Sequence, residues 1–229
     1  MYAWMAPTRH ALCLCLPVVQ ATVRRKVLEA AGDLMEACAG RPQQQAEVLR
    51  AAVGRLHDPD DAVRRAAVGA VCRLLQLHPG LARSTNTDGR GPVLSLAYQR
   101  LRDKKLSVRR EAASQLAALL RAWIAAAEED PAAAPEPRVM LSLPLVVCNC
   151  AVRDPELGAH VFDTVWRAGM FPAKMAPAAV ARYWAQMWFQ AGEDGAGDAS
   201  VGLSLSPPFH ACCPRPPSRP VRLVPCCRR

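Results

Sequence analysis

One block of sequence, written more than once, constrains this chain more than any other feature. Leu106 to Trp123 places apolar residues at Val108, Ala112, Leu116, Leu119, Leu120 and Trp123. These fall on one stripe of a helix with a period of about 3.6 residues. Arg109, Arg110, Gln115 and Arg121 fall on the opposite face. Arg55 to Leu77 carries the same block 45 residues earlier. Arg55-Leu56-x-Asp58 matches Arg100-Leu101-x-Asp103, and Val63-Arg64-Arg65 matches Val108-Arg109-Arg110. Ala67, Val71 and Leu74-Leu75 then match Ala112, Leu116 and Leu119-Leu120. A third Val-Arg-Arg stands at Val23-Arg24-Arg25, with Val27, Ala31 and Leu34-Met35 in register. Val18 holds the place of its preceding Asp, so this copy is the weakest.

A helix with a single apolar stripe must bury it against a neighbour, and copies spaced by about 40 to 45 residues do so by stacking. The chain therefore reads as an all-α HEAT-repeat α-solenoid of stacked antiparallel helix pairs. Composition agrees. Aromatics make up 5% of the 229 residues, and no long Val/Ile/Thr alternation suggests a sheet.

The formal charge of +9 points toward acidic partners or nucleic acid. The basic residues are interleaved with Asp and Glu, however, so a solvated surface explains them equally well. Ten cysteines are present, as Cys13/Cys15, Cys148/Cys150, Cys212-Cys213 and Cys226-Cys227, with single Cys38 and Cys72 on apolar stripes. None forms a C-x-x-C pair, and adjacent or alternating cysteines do not readily bridge to each other. They read as free or buried thiols in a reducing compartment. No apolar run reaches the ~20 residues of a membrane helix. Ala11 to Val19 resembles a signal-peptide core, but its charged flank is weak and Pro17 interrupts it.

Along the chain, residues 1–21 are expected to be an irregular N-terminal segment. The solenoid is expected over 22–190, and a disordered Pro/Arg/Cys-rich tail over 191–229. Helices are expected from Thr22, as N-cap, to Cys38, from Gln43 to Leu56, and from Ala62 to Leu77. Others are expected from Pro92 to Leu101 and from Asp103 to about Ala127. Arg138 to Cys150 is apolar and interrupted by Pro144. Asp154-Pro155-Glu156 opens a helix with Leu157, Val161, Phe162, Val165 and Trp166 facing inward. Ala178 to Gln190 is the last helix, burying Val180, Trp184, Met187 and Trp188. The array then gives way to a biased tail without a capping repeat. This is what a fragment of a longer solenoid with a non-homologous C-terminus would look like.

The Asp-x4-Val-Arg spacing at Asp58/Val63/Arg64 and Asp103/Val108/Arg109 resembles HEAT repeats. That resemblance implies a hydrogen-bonded ladder between neighbouring repeats, so Asp58, Arg64, Asp103 and Arg109 are expected to be structural. Buried charges must be paired. A closer resemblance lies in the wording from Leu101 to Ala112, LRDKKLSVRREA. It is joined by Leu143-Pro144-x4-Cys148 ahead of Asp154-Pro155-Glu156-Leu157, then Met170-Phe171-Pro172 and Val180-Ala181-Arg182-Tyr183-Trp184. This ordered set is similar to the precocious-dissociation-of-sisters family of cohesin-associated HEAT proteins. It covers about Thr22 to Gln190, and most strongly Asp103 to Trp184.

The resemblance implies a non-catalytic nuclear scaffold that regulates sister-chromatid cohesion by binding the kleisin subunit of cohesin and other cohesin regulators. It implies no cofactor, no small-molecule substrate and no membrane. Contact with chromatin would be indirect, with direct DNA contact left open. Family members are far longer solenoids.

No G-x-S-x-G, H-E-x-x-H, Walker loop or Gly-rich dinucleotide turn occurs. His10, His57, His78, His160 and His210 lack ligand spacing, and Glu128-Glu129-Asp130 reads as a solvated run. Lys104, Lys105 and Arg110 form the best candidate contact surface, a basic edge for an acidic peptide or a phosphate backbone. The plainer reading of two solvent-facing lysines beside a ladder arginine is the stronger. Other functions for such an array are a transport or phosphatase HEAT adaptor, a bilin lyase or a DNA glycosylase. The ordered set from Asp154 to Trp184 argues against the adaptors. Repeats of 40 to 45 residues argue against the lyase, whose repeats run nearer 30.

Overall fold

The computed structural model describes residues 20–38, 41–83, 91–130, 137–166 and 170–194. Among these the regular elements are helical: α1 Ala21–Glu29, α2 Ala31–Ala37, α3 Pro42–Gly54, α4 Asp61–Leu77, α5 Val93–Gln99, α6 Leu106–Glu129, α7 Pro137–Arg153, α8 Pro155–His160 and α9 Pro177–Asp194. Tight 3-10 turns at Arg55–His57 and Arg100–Arg102 extend α3 and α5, and a third at Pro79–Arg83 follows α4. A π-helical segment, Val161–Trp166, continues α8.

The helices form two layers. α1, α4, α6 and α8 stack on one another in chain order, and the α4–α6 contact is the most extensive. α3 and α5 pack beside α4, while α7 packs against α6, α8 and α9. This is an all-α HEAT-like solenoid. Its apolar stripes meet in one continuous core from Leu28 to Met170, with Leu74, Leu75, Leu116, Leu119 and Trp123 among the fully buried side chains. The Trp123 indole Nε1 also donates to the Leu75 carbonyl at 3.0 Å. That carbonyl lies in the last turn of α4, where helical donors run out. Side chains from α6 thus fill the core and close the end of the preceding repeat's helix.

Local chemistry sets the helix starts. The Asp60 carboxylate accepts from the Val63 amide at 3.0 Å and caps α4. Asp154 accepts from the Glu156 and Leu157 amides at 3.1 Å and caps α8, with Pro155 in the first-turn position. Gly158 sits where α8 crosses α7. A Cβ there would lie 2.7 Å from the Ala151 carbonyl oxygen.

Several expectations are corrected. The single helix from Thr22 to Cys38 is two, α1 and α2, broken at Ala30. Gln20 is the N-cap residue of α1 in place of Thr22, and it makes no side-chain cap bond. The break precedes Gly32, a poor helix former over which the Arg73 side chain lies. Pro144 does not interrupt its segment but sits buried inside α7. Its ring leaves the carbonyl four residues back without a helical donor, a cost the apolar packing of α7 offsets. Phe162 is 62% exposed while Val161 and Val165 are buried. The wider π turn keeps residues four apart on one face and turns Phe162 outward. Asp103 is not the first residue of α6, which begins at Leu106 with Lys105 at the cap.

Val180 and Trp184 on α9 are half-buried, and α9 runs on to Asp194. The expected burial of Trp166, Met187 and Trp188 lies outside the described side chains. The expected irregular segment and tail lie outside the described residues, apart from 20–21 and 191–194. No described helix is long and apolar enough to cross a membrane.

Candidate functional site

Among the described residues the repeats are tied together by three rungs of charge, each running from an arginine forward to the aspartate of the next repeat. Arg24 on α1 grips Asp58 through Nε at 2.9 Å and Nη2 at 2.8 Å. Arg64 on α4 grips Asp103 through Nε at 2.8 Å and Nη2 at 3.0 Å. Arg109 on α6 reaches Asp154 with Nε 2.7 Å from Oδ2 and Glu156 with Nη2 at 3.3 Å. The Arg109 Nε–H is not aligned on an acceptor, so this third rung is an ion pair and lacks the two-pronged grip of the others.

The arginines of the second and third rungs also reach back to their own repeats. Arg64 Nη1 donates to the Asp58 and Pro59 carbonyls at 2.9 and 3.0 Å, and Arg109 Nη1 donates to the Asp103 carbonyl at 3.0 Å. The Asp58 and Asp103 carboxylates accept in turn from the Asp60 and Lys105 amides. Arg55 and Arg100, each three residues before the aspartate, add further contacts at 3.3 Å. Arg100 also donates to the Leu56 carbonyl at 2.9 Å.

These contacts set the electrostatics. Burial pushes the Asp58 and Asp103 carboxyls up, but the arginine and amide hydrogen bonds together outweigh it and hold both below the usual carboxylate range. The hydrogen bonds that Arg24 and Arg64 donate to the Asp58 and Asp103 carboxylates raise their guanidinium pKa values, against an opposing effect of burial. Burial lowers that of Arg100.

Asp58, Arg64, Asp103 and Arg109 are thus all committed to contacts between repeats. Arg24 and Asp154 share that role, and the sequence reading passed over both. The signal for Arg24 was its Val-Arg-Arg register. A rung runs forward, so Arg24 needs no aspartate before it. Asp154, where the sequence opens a helix, serves as cap and rung at once. The position matching Arg64 and Arg109 in the next repeat is His160, which turns back to the Ser114 hydroxyl at 3.0 Å.

Lys104, Lys105 and Arg110 are exposed at the start of α6, and their side chains make no ion pair or hydrogen bond with any described residue. The structure brings them onto one end of one helix, beside the turn that Asp103 organises. Glu128 and Glu129 are exposed at the other end of α6. His57 is exposed, and His78 faces Gln45 at 3.3 Å. His10, His210 and the N- and C-terminal cysteines lie outside the described residues. Cys38, Cys72, Cys148 and Cys150 are free thiols. Among the described residues no three His, Cys, Asp or Glu side chains are grouped as metal ligands.

The model of one protein family, the sister chromatid cohesion protein PDS5, matches residues 19–196. The chain belongs to the PDS5 family. No curated protein and no solved structure matches it. Membership places the chain in sister chromatid cohesion, within a regulatory, non-catalytic family associated with the cohesin complex. The matched span takes in all three rungs and α1 through α9 of the PDS5-family array.

Proposed function

We propose that this chain is a non-catalytic scaffold that acts in the nucleus on sister-chromatid cohesion by binding the kleisin subunit of cohesin and other cohesin regulators. The observation that carries the reading is the family match over the whole described array. The two-pronged rungs support it, because repeats locked by paired charges present a fixed outer surface. Pre-organisation of this kind lowers the cost of binding. Lys104, Lys105 and Arg110 are the proposed contact surface, since all three cations are exposed and, among the described residues, unpaired beside the turn that Asp103 organises.

Affinity capture of the tagged full chain from nuclear extract, followed by probing for cohesin subunits, tests the reading. Retention of kleisin, weakened by charge reversal at Lys104, Lys105 and Arg110, is the expected result. Absence of every cohesin subunit from the captured material overturns it. Excision of a base from DNA by the pure protein would also overturn it.

A further inference from the structure

The Val-Arg-Arg repeat holds two arginines with different fates. The first, at Arg24, Arg64 and Arg109, is used up inside the ladder. The second, at Arg25, Arg65 and Arg110, lies next to it on the helix and outside that network. Arg65 and Arg110 are exposed and make no side-chain hydrogen bond or ion pair with any described residue. Arg25 makes only a surface pair with Glu29 at 3.4 Å. Equivalent positions on stacked helices fall in line, so the second arginines recur once per repeat across α1, α4 and α6.

Two of them, Arg25 and Arg65, stand over a groove of about 520 Å3 that runs across these three helices. Its floor includes Gly69, Ala62, Ala66 and Ala70, which offer nothing beyond a Cβ, while the Arg73 side chain lies over Gly32. Arg73 closes one side, held by Asp33 at 2.9 Å. A floor of this kind admits another backbone at close range, with cations spaced along the rim.

We infer that Arg25, Arg65 and Arg110 form a column that binds an extended acidic segment of a partner protein, laid across α1 and α4 in the groove that Arg25 and Arg65 line and reaching Arg110 beyond it on α6. This deepens the scaffold reading and rests on it. Spacing supports a peptide. Packed helices lie about 8–10 Å apart. An extended chain of the polyproline II type rises about 3.1 Å per residue and returns to the same face every third residue, about 9 Å on. One carboxylate in every three residues would therefore meet one arginine per repeat. Gln76, on the groove wall, can serve the peptide's main-chain groups. The same groove holds the carboxylates of Glu29 and Glu111. They oppose the unbroken charge of a nucleic acid, about one per 1.7 Å in a duplex, but tolerate an intermittently charged peptide.

Fluorescence anisotropy of a labelled (Glu-Pro-Ala)4 peptide titrated with the full chain at about 50 mM salt provides the test. Saturable binding is expected, lost when Gln replaces every Glu. Arg65→Glu and Arg110→Glu should each weaken it by about tenfold, while Arg182→Glu, at an exposed arginine on α9, should leave it within about twofold. Absence of binding, or equal weakening by Arg182→Glu, overturns the column. So does a duplex of about 20 base pairs that binds more tightly and displaces the peptide, which would assign the face to nucleic acid. Circular dichroism melts confirm that each variant folds. If the unaltered chain retains cohesin but never binds the peptide, the column fails and the scaffold reading stands. If the peptide binds as described and cohesin does not, the column stands and the scaffold reading fails.

Discussion

Arg64 and Asp103 stand 39 residues apart in sequence and meet in two parallel hydrogen bonds, 2.8 and 3.0 Å, at an almost dry junction between repeats. Their side chains are 5% and 3% exposed. The same guanidinium holds two carbonyls of its own repeat. One side chain therefore sets both the turn before α4 and the seating of α6 upon it.

That position makes the rung sensitive to loss of one partner. Asp103→Ala leaves Arg64 as an uncompensated buried cation beside the half-buried Arg100 and should cost about 3–5 kcal/mol in urea denaturation. Arg64→Met with Asp103→Leu should cost less than Asp103→Ala alone, because no orphaned charge remains. Arg109→Ala should cost only about 1 kcal/mol, since Arg109 and Asp154 are 16% and 26% exposed. Equal losses for Asp103→Ala and Arg109→Ala would contradict this ranking.

Acid should open the ladder. The Asp58 and Asp103 carboxyls titrate below their unfolded value in the folded chain, so the unfolded state binds protons first as pH falls. Their contribution is complete above the unfolded pKa of about 3.9 and disappears as pH drops through the lower folded values. Thermal melts should show little dependence on these two groups from pH 7 to about 5, then a steep fall below about 4. In Asp58→Asn/Asp103→Asn the fall should be shallower.

Two glycines should respond in opposite directions. Gly158→Ala drives a Cβ against the Ala151 carbonyl oxygen, where backbone must shift, and should destabilise by about 1–3 kcal/mol. Gly54 ends α3 in helical geometry with open space around it. Gly54→Ala should stabilise by about 0.5–1 kcal/mol. Urea midpoints of the two variants beside the parent settle the signs.

Trp123 separates packing from hydrogen bonding. Trp123→Phe strands the Leu75 carbonyl in the core and trims part of a buried ring, for a loss of about 1–3 kcal/mol. Trp123→Ala should cost about 3–5 kcal/mol by opening a cavity between α4 and α6. Hydrogen exchange should localise the Trp123→Phe effect to the last turn of α4.

The helices α4 and α6 were legible because their apolar stripes are dictated by a period that local sequence carries. Asp58 and Arg64 were recognisable as ladder candidates for a related reason: two copies at one spacing marked the positions. Arg24 and Asp154 were not recognised, since each has only half of the repeated signature. Pro144 and Phe162 misled because breaker rules and helical wheels describe an isolated helix. Packing around α7 retains a proline that local rules would expel, and the π turn after α8 rotates a face that the wheel had fixed.

Repetition in the sequence alone determined that the chain is a solenoid of stacked helix pairs and that the apolar stripes of α4 and α6 lie in its core. A helix must hide its apolar stripe wherever it lies, so that conclusion needs no coordinates. Which arginine of each Val-Arg-Arg is spent and which is left over was decided only in three dimensions. Both arginines have the same chemistry and neighbouring positions. The partners lie 34 to 45 residues away, in the next repeat, and only stacking brings Asp58, Asp103 and Asp154 to the first of each pair.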